Sequence, residues 1–572
     1  MNAVLATLNR LPLATAMTDA LRAGYGAASL RRDLIAALII SLVALPLSMA
    51  LAIAVGLPPQ HGLYTAIAAG FFAALLGGSK TQVSGPTAAF VVIVAPIVAE
   101  FGMRGIVWCQ ILAGIFLLIL GISRLGQIIT YVPYTVTMGF TMGIGVVIGT
   151  IALNDFFGVA GDSAGHWPHK VAVLAQNLPD LSLPTLGVGL LALAIMAGLP
   201  YINKKIPSAI VGIVAATLVS LGLSRAGIDI ATIGSRFSYT DAAGVLHHGI
   251  PSMPPVLHLP GFSDDRIYAL PSIAELSKWF MPAVVIAILA ALESLLSATV
   301  ADSMAGTRHE PNAELNGIGI ANIMSGLFLG IPATGAIART ATNINAGAVS
   351  PVSAMVHALL LLLFMVVLAP VIAYVPMSAL SALLLVTAWR MSHVHQFIHL
   401  VRSASRSDIA VTLACFGMTV AIDMVAGVIT GMSLAILLFM KRVMDTTAVS
   451  HHHGADNRTE YDLPDGTLLF HVEGPLFFGT ANKAFDFRPG LLAHVERVVL
   501  DLGDVPAIDV TAMNLLEDYI GELLEGGRQV VICADADLTA RIRRRLRPDV
   551  IVRVHFVGDV EDMLNRRAAI RV

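Results

Sequence analysis

The chain has 572 residues; 56% of them are hydrophobic, 13% are charged, and the formal net charge is −3. Because soluble domains carry about 25% charged residues, this composition predicts a membrane protein, and the small net charge excludes a basic nucleic-acid-binding surface. Three cysteines cannot form a fully paired disulfide framework and show no metal-ligand spacing. The sequence shows no nucleophile–base pair and no metal-ligand cluster, so we predict a protein that is not an enzyme and uses no metal or cofactor.

Charge and apolar runs divide the chain into four parts. We predict a cytoplasmic N-terminal segment (1–30), a transmembrane transport domain (31–443), a linker (444–459) and a cytoplasmic C-terminal domain (460–572). The N-terminal segment lacks the features of a cleaved signal peptide. The C-terminal domain holds a little under half of the 35 basic and 38 acidic residues. The linker contains His451–His453, a pattern that binds metal weakly and is more often solvated.

About fourteen membrane-spanning segments fit the transport domain. A helix needs about 20 residues to cross the roughly 30 Å of hydrocarbon, and we place the breaks at glycine, proline and charge clusters. The third and tenth segments are short and interrupted, the third where it opens at Ser84–Thr87 and the tenth around Arg339. The predicted centres are residues 44, 70, 92, 113, 141, 192, 214, 290, 322, 343, 361, 384, 414 and 432.

The basic residues predict that both termini are cytoplasmic. Two long loops, 154–183 and 224–277, are poor in lysine and fall on the opposite side of the membrane. An even number of segments then returns the C-terminal domain to the cytoplasm. By the positive-inside rule, the residues that mark the cytoplasmic side are Arg31, Arg32, Lys80, Arg124, Lys204, Lys205, Arg308, Arg390, Arg402, Arg406, Lys441 and Arg442.

The segments divide into seven and seven about the loop 224–277. An odd number of spans in each half makes the two halves an inverted repeat, and the interrupted segments then occupy the third place in each half. Interrupted segments at matching positions indicate the binding site of a secondary carrier. The sequence therefore predicts a site between the third and tenth segments.

Arg339 is the single charged residue between Glu314 and Arg390. A lone guanidinium costs at least ~3 kcal/mol at the centre of a bilayer, and its pKa is too high for it to lose the proton. A bound anion is the cheapest compensation, which predicts an anion site. The alternative is that Arg339 snorkels to the interface or pairs permanently with a carboxylate such as Glu293.

Two helix starts supply further positive potential. Ser84 or Gly85 can cap one helix, with Pro86 in its first turn, and a second helix begins near Ala338–Thr340. Each start offers free N–H groups and about half a positive charge, so two starts and one arginine suit a small divalent anion. An ordinary interhelical turn stays the alternative at Ser84–Thr87. The small residues that allow close approach of an anion are Ala88, Ala89, Ala336 and Ala338.

Glu293 is the second ionisable residue within the predicted membrane segments. A carboxyl group there can carry a proton alongside an anion, which would allow uptake against the membrane potential. The alternatives are a structural partner for Arg339 or a carboxylate held by helix-end donors.

The C-terminal part predicts a small α/β domain, because short β-branched runs alternate with helical patterns. A basic helix at Arg541–Arg547 is either a solvated face or a contact for anionic lipid or an acidic partner. The predicted strands are 466–474, 496–502 and 528–534, and the predicted helices are 511–524 and 537–546.

The stretches Leu45–Ala52, Gly62–Ala66 and Ser84–Phe90 resemble the sulfate permease (SulP) family of anion transporters, and the tail resembles a STAS domain. The similarity runs from about Arg31 to the C-terminus. It implies an α-helical polytopic membrane fold in which fourteen transmembrane segments form a 7+7 inverted repeat of core and gate domains. It also implies elevator-like motion, a homodimer and a bacterial inner-membrane location.

The resemblance also implies roles for particular residues. Glu293 falls at the family's acidic position, which is tied to proton coupling in bacterial members; a sodium-coupled relative has aspartate there, so glutamate favours protons. Leu47 stands where many members have glutamine, which weakens the transfer of sulfate as substrate. The anion-binding residues that the resemblance implies are Thr87, Ala88, Ala338, Arg339 and Thr340, beside the caps Ser84 and Gly85.

Two further stretches, Val349–Ala354 and Pro475–Phe478, resemble bacterial aerobic C4-dicarboxylate transporters. We therefore expect proton-coupled uptake of succinate, fumarate or aspartate. Bicarbonate or sulfate transport, a passive anion channel, and a membrane-tethered regulator whose STAS domain recruits a cytosolic protein stay open. Asp509 is followed by Val510 rather than by the phosphorylatable serine of soluble STAS proteins, which argues against a phosphorylation switch.

Overall fold

The computed structural model describes residues 12–127, 132–161, 166–203, 206–240, 244–262, 266–453, 463–484 and 494–565. The chain forms two compact units, Met1–Ser433 and Leu434–Val572. The predicted N-terminal segment is described from residue 12 and the predicted linker as far as residue 453. The cytoplasmic markers Lys204 and Lys205 lie outside the described residues.

Every predicted segment centre lies within a described helix, so the predicted polytopic architecture is confirmed. Eight of the described helices are long and apolar enough to cross a membrane by length and composition. In chain order, the helices up to residue 446 are α1 (Thr15–Arg22), α2 (Ala27–Ala54), α3 (Gln60–Leu76), α4 (Val91–Ile122), α5 (Tyr134–Phe157), α6 (Trp167–Asn177), α7 (Leu183–Ile202), α8 (Ser208–Arg225), α9 (Ile233–Arg236), α10 (Ile273–Ala305), α11 (Pro311–Leu327), α12 (Ile337–Asn345), α13 (Val352–Ile372), α14 (Met377–Met391), α15 (Val394–Ser403), α16 (Arg406–Ala421) and α17 (Met424–Thr446).

Helix α4 contains both the third and the fourth predicted segments. They meet at Gly102, whose φ of 62° and ψ of −162° interrupt the helix. Glycine is suited to this position because it has no Cβ to oppose a positive φ. A 3₁₀ turn, Ala88–Phe90, precedes α4.

Helix α10, which carries Glu293, has well-defined ends. Ser272 Oγ accepts a hydrogen bond from Glu275 N, and the Glu275 carboxylate accepts one from Ser272 N at 2.8 Å. This capping box satisfies two N–H groups that have no partner within the helix. At the other end, Gly306 adopts a left-handed conformation with a φ of 65°.

The helices of the first unit pack mainly within two groups. One group contains α2, α3, α4 and α10–α13, with α11 packed against both α3 and α4. The other contains α5, α7, α8, α14 and α16, with α5 packed against α14 and α16. The first group contains both interrupted segments. Four short strands accompany these helices, β1 (Ser84–Gly85), β2 (Ser238–Thr240), β3 (Leu246–His248) and β4 (Thr334–Gly335).

The second unit is a small α/β domain, as predicted. Its five-stranded sheet has the order β5-β6-β7-β8-β9, with β5 antiparallel to β6 and the other pairs parallel. The strands are β5 (Ala448–His453), β6 (Thr467–Glu473), β7 (Arg497–Asp501), β8 (Gln529–Cys533) and β9 (Val554–Val557); the helices are α18 (Phe478–Ala484), α19 (Val510–Glu525), α20 (Ala536–Arg545), α21 (Pro548–Ile551) and α22 (Val560–Asn565).

Part of the predicted linker is a strand. Residues Ala448–His453 form β5, and Val449 packs against the apolar core of the domain. The polar composition of this stretch obscured the strand, because an edge strand needs to bury only one face. The linker prediction was therefore wrong for these residues.

Candidate anion site

Two short strands bring the interrupted segments together. Strand β1 pairs antiparallel with β4, so that Ser84 lies opposite Gly335 and Gly85 lies opposite Thr334. After β1 the chain enters the 3₁₀ turn that leads into α4, and after β4 it enters α12. One small sheet therefore holds both helix starts.

Both helix starts leave backbone N–H groups without a hydrogen-bond partner among the described residues. In the 3₁₀ turn, the first backbone bond runs from Phe90 N to Thr87 O at 3.2 Å. In α12, the first bond runs from Thr340 N to Ala336 O at 2.8 Å. Amides at such positions carry the positive end of the helix dipole and favour an anion. The free amides are those of Ala88, Ala89, Ile337, Ala338 and Arg339.

The Arg339 side chain extends from α12 to the other helix start. It is 3% exposed, and its Nη2 donates to Pro86 O at 2.6 Å. Its Nη1 is buried and has no hydrogen-bond partner. Among the described residues, no carboxylate oxygen lies within 4.0 Å of the guanidinium. The alternative of a permanent ion pair with Glu293 is therefore not what the structure contains, and a buried charged donor is left without a partner among the described residues.

Gly85 makes room for the guanidinium. A Cβ at this position would lie 2.8 Å from Arg339 Nη1 and 3.3 Å from Nη2. The Gly85 φ is 152°, which is also unfavourable for a residue with a side chain. Glycine therefore allows Arg339 to lie directly against the backbone of β1.

Glu293 is connected to the first helix start. Its Oε2 accepts a hydrogen bond from the Thr87 hydroxyl at 2.9 Å. Glu293 is only partly buried, and Thr87 is the residue on which the 3₁₀ turn begins. A change of charge at Glu293 would therefore change the electrostatic potential at the free amides of the first helix start.

The structure separates the predicted binding residues into two sets. Ser84 and Gly85 have their backbones in the small sheet, and Thr340 Oγ1 accepts from Val83 N at 3.0 Å and lies 3.2 Å from Ser297 Oγ. These residues hold the two helix starts in place. Thr87, Ala88, Ala338 and Arg339 belong to the helix starts themselves, and Arg339 Nη1 has no hydrogen-bond partner among the described residues.

Glu314 accepts hydrogen bonds from the chain segment before β1 and so holds it in place, a role that the sequence analysis did not predict. It is 2% exposed, and its carboxylate accepts from Gly78 N at 2.9 Å, Ser79 N at 3.0 Å and Gln82 Nε2 at 2.7 Å. In the sequence analysis Glu314 appeared only as the charged residue that precedes Arg339 along the chain. A signal was available, because a glutamate one turn inside an apolar helix needs donors from elsewhere.

The strand β4 is held by two buried polar side chains. Asn322 pairs with the peptide of Ala333, its Oδ1 accepting from N and its Nδ2 donating to O, each at 2.9 Å. Ser294 Oγ accepts from Gly335 N at 3.0 Å and is 2.9 Å from Thr334 Oγ1. These bonds satisfy backbone groups where α12 is interrupted, as irregular backbone within a membrane requires.

The fold and the two helix starts are those expected of a membrane transporter for anions: two interrupted helices in matching halves, their free amides, and a buried guanidinium whose Nη1 has no partner among the described residues. The sequence profile described as "Sulfate permease family" matches residues 30–415, and the profile of the STAS domain matches residues 458–555. The chain belongs to the sulfate permease family. It is a multi-pass membrane protein and an anion transporter.

Two named bacterial proteins are similar to this chain over most of its length. The putative sulfate transporter YvdB of Bacillus subtilis is 35% identical over 518 residues, which cover 88% of this chain and 93% of the relative. The bicarbonate transporter BicA of Picosynechococcus is 30% identical over 550 residues, 91% of each chain. Both relatives are named as transporters, in agreement with the prediction that this chain is a transporter rather than an enzyme.

Solved structures show the same fold. The transmembrane domain of a cyanobacterial bicarbonate transporter BicA matches with a TM-score of 0.61 and 29% identity, over 70% of this chain and 97% of the other. The structure of SLC26A9 matches with a TM-score of 0.82 and 17% identity, over 99% of this chain and 94% of the other.

The predicted similarity to C4-dicarboxylate transporters needs correction, because YvdB and BicA are named as a sulfate and a bicarbonate transporter. The stretches behind that prediction serve the packing of the protein. Ser350 Oγ donates to Asp33, and Ser353 Oγ donates to Asn343 at 2.6 Å. Pro475 O accepts from the Thr447 hydroxyl at 2.9 Å.

Proposed function

We propose that the protein is a secondary carrier of a small oxyanion of the sulfate or bicarbonate kind, bound between the starts of α4 and α12. The observation that carries this proposal is the buried Arg339 Nη1, which has no partner in the described structure. The free amides of Ala88 and Ala338 add donors on both sides. Their alanine side chains leave the backbone open to a compact anion.

The charges at the site favour coupling of a divalent anion to a proton. Arg339 contributes one positive charge, and each helix start contributes about half of one. With Glu293 ionised the sum is about +1, which matches a monovalent anion such as bicarbonate; with Glu293 protonated it is about +2, which matches sulfate. The hydrogen bond between Glu293 and Thr87 supports this link between the proton and the anion.

The finer features of the transport cycle are proposals of the same kind. We propose that Glu293 is the proton-coupling residue, that the helix group containing α4 and α12 moves against the group containing α5 and α14, and that the protein is a homodimer in the inner membrane with both termini cytoplasmic. The names of the relatives favour sulfate and bicarbonate over succinate, fumarate or aspartate. Dicarboxylates therefore enter the test as competitors.

Uptake into proteoliposomes tests the proposal. Labelled sulfate and labelled bicarbonate are offered with and without an inward proton gradient, and unlabelled succinate is added as competitor. We expect the wild type to accumulate one of the two oxyanions and Arg339→Ala to lose uptake. Arg402→Ala, an exposed arginine in α15, is the matched control and keeps it.

Other outcomes would replace the proposal. Transport of succinate alone would restore the dicarboxylate hypothesis at the same site. Equal uptake by the wild type and Arg339→Ala would show that the anion does not bind at Arg339. Anion currents that ignore both the proton gradient and Glu293→Gln would indicate a passive channel. Loss of function on deleting the C-terminal domain, with Arg339→Ala tolerated, would indicate a tethered regulator.

A further inference from the structure

Three metal-ligating side chains converge at one edge of the five-stranded sheet. His471 and Glu473 lie at the end of β6, and Asp504 lies in the loop after β7. Each offers one ligand atom, and these atoms all lie within 4.8 Å of one another. We propose that the C-terminal domain binds a divalent transition-metal ion, with zinc as the best fit, at these three residues. This proposal is independent of the anion site.

A fourth residue orients the histidine. His471 Nδ1 lies 2.8 Å from Asp501 Oδ2, and Asp501 is 8% exposed. The other Asp501 oxygen accepts from Gly503 N at 3.1 Å. A buried carboxylate at Nδ1 holds the ring proton there, so the lone pair of Nε2 points away from Asp501. Histidines that bind metals in proteins are oriented in the same way.

The distance between the first two ligand atoms fits a metal better than a hydrogen bond. His471 Nε2 lies 3.4 Å from Asp504 Oδ2. Among the described residues, the His471 ring has its hydrogen bond at Nδ1, to Asp501. Two ligands bound to one metal at about 2.1 Å in tetrahedral geometry lie roughly 3.4 Å apart. The observed separation is therefore that of two neighbouring zinc ligands.

The charge of the cluster also calls for a cation. In the described part of the chain, no lysine or arginine nitrogen lies within 4.0 Å of the Glu473 or Asp504 carboxylate. With the His471 ring neutral, two carboxylates and an imidazole lone pair at this spacing repel one another unless a positive charge lies between them. One nitrogen and two oxygen ligands suit zinc or a neighbouring transition metal, whereas magnesium and calcium prefer oxygen alone. A water molecule would complete the tetrahedron.

The three histidines of β5 provide a control. In the strand register His451 lies opposite Phe470 and His452 opposite Leu469, so both are displaced along the sheet from His471. The His451 ring lies against the Phe470 ring, with 6.4 Å between centroids. His452 shares the face of His471 two residues along the sheet, whereas His451 lies on the opposite face, so substitution of these histidines tests whether they contribute to the cluster.

Zinc titration of the full-length protein tests the proposal. The protein is purified in detergent without a polyhistidine tag, stripped with a chelator, and titrated with Zn²⁺ against a chromophoric competitor. The titration is repeated with Co²⁺, whose visible absorption reports the coordination geometry. We expect one ion per chain with a tetrahedral Co²⁺ spectrum. Asp504→Asn and Glu473→Gln change exposed residues, so these variants should fold as the wild type does.

The variants decide which residues bind the ion. We expect His471→Ala to abolish stoichiometric binding and Asp501→Asn, which changes only the orienting residue, to weaken it about 10- to 100-fold. Asp504→Asn should weaken binding at least about tenfold. The combined variant His451→Ala, His452→Ala and His453→Ala should bind as the wild type does. Equal affinities for the wild type and Asp504→Asn, or loss of binding in the triple variant alone, would overturn the proposal.

Discussion

Glu293 on α10 and Glu314 on α11 are acidic residues of neighbouring helices with opposite surroundings. Glu314 is 2% exposed and accepts from three donors, Gly78 N, Ser79 N and Gln82 Nε2. Glu293 is partly buried, and the structure gives it one hydrogen bond, from the Thr87 hydroxyl. The two carboxylates differ in both burial and the number of fixed donors, and these two features together separate a structural carboxylate from one that is free to change its partner. Substitutions should therefore affect stability at Glu314 and transport at Glu293.

The largest loss of stability is expected for Glu314→Ala. It leaves three buried donors without an acceptor, at about 1–3 kcal/mol for each, so the free energy of unfolding should fall by about 3 kcal/mol or more. Thermal unfolding of the purified protein measures this. The control is Glu310→Ala at the N-cap of the same helix, which removes the acceptor of Ala313 N and of Asn312 Nδ2 and should cost at most about 2 kcal/mol. Equal losses for the two variants would contradict the structural role of Glu314.

Gly85→Ala should have the next largest effect and should also lower transport. Its Cβ would lie 2.8 Å from Arg339 Nη1, and the φ of 152° adds strain, so we expect a cost of about 2 kcal/mol. The anion affinity should fall because the guanidinium must move. Gly102→Ala is the matched control: its φ is 62°, but no heavy atom lies within 4 Å of the added Cβ. Gly102→Ala should therefore have a similar backbone strain but an unchanged anion affinity. Competition uptake assays on both variants measure this affinity.

Thr87→Val should remove the hydrogen bond to Glu293 at a cost of about 1 kcal/mol. The more informative readout is the dependence of uptake on the proton gradient, which should weaken because the proton and the anion are no longer connected. Thr87→Ser keeps the hydroxyl and should retain the dependence. If uptake by Thr87→Val depends on the proton gradient as strongly as uptake by the wild type, the hydrogen bond between Thr87 and Glu293 does not couple the proton to the anion.

Glu293→Gln should have the smallest effect on stability, below about 1 kcal/mol, because the amide oxygen can still accept from the Thr87 hydroxyl. We expect uptake that no longer responds to an inward proton gradient. Thermal unfolding and gradient-driven uptake on the same preparation test both points. If Glu293→Gln lost as much stability as Glu314→Ala, Glu293 would also have a structural role, which would contradict the difference that we infer between the two carboxylates.

Much of the architecture could be predicted from local patterns. All the predicted segment centres fall in helices, because a run of apolar residues long enough to cross a bilayer is visible in the sequence itself. In the C-terminal domain β6, β7, β8, α19 and α20 were recognisable by their alternating patterns, whereas β5, β9, α18, α21 and α22 were not predicted. The serine and histidines of β5 resemble a linker. The predicted similarity to C4-dicarboxylate transporters rested on short stretches near Ser350 and Pro475, whereas the named relatives are a putative sulfate transporter and a bicarbonate transporter.

The site was predictable in its residues but not in its connections. Arg339 stands out because an isolated charge within an apolar run requires compensation. That Glu293 binds Thr87 rather than Arg339 could not be known, since the two partners are separated by 206 positions in the chain. The cluster at His471 was equally hidden, because Asp501 and Asp504 approach it only through the pairing of β6 with β7.

By itself, the sequence determined the membrane segments, the two interruptions and the isolated charge at Arg339, since these depend on the cost of placing each residue in hydrocarbon. The tertiary structure alone decided which polar groups meet: the pairing of β1 with β4, the three donors at Glu314, and the free Nη1 of Arg339. The physical reason is that a hydrogen bond between remote parts of the chain forms only when the distance between donor and acceptor is correct to within a few tenths of an ångström. Only packing fixes such distances.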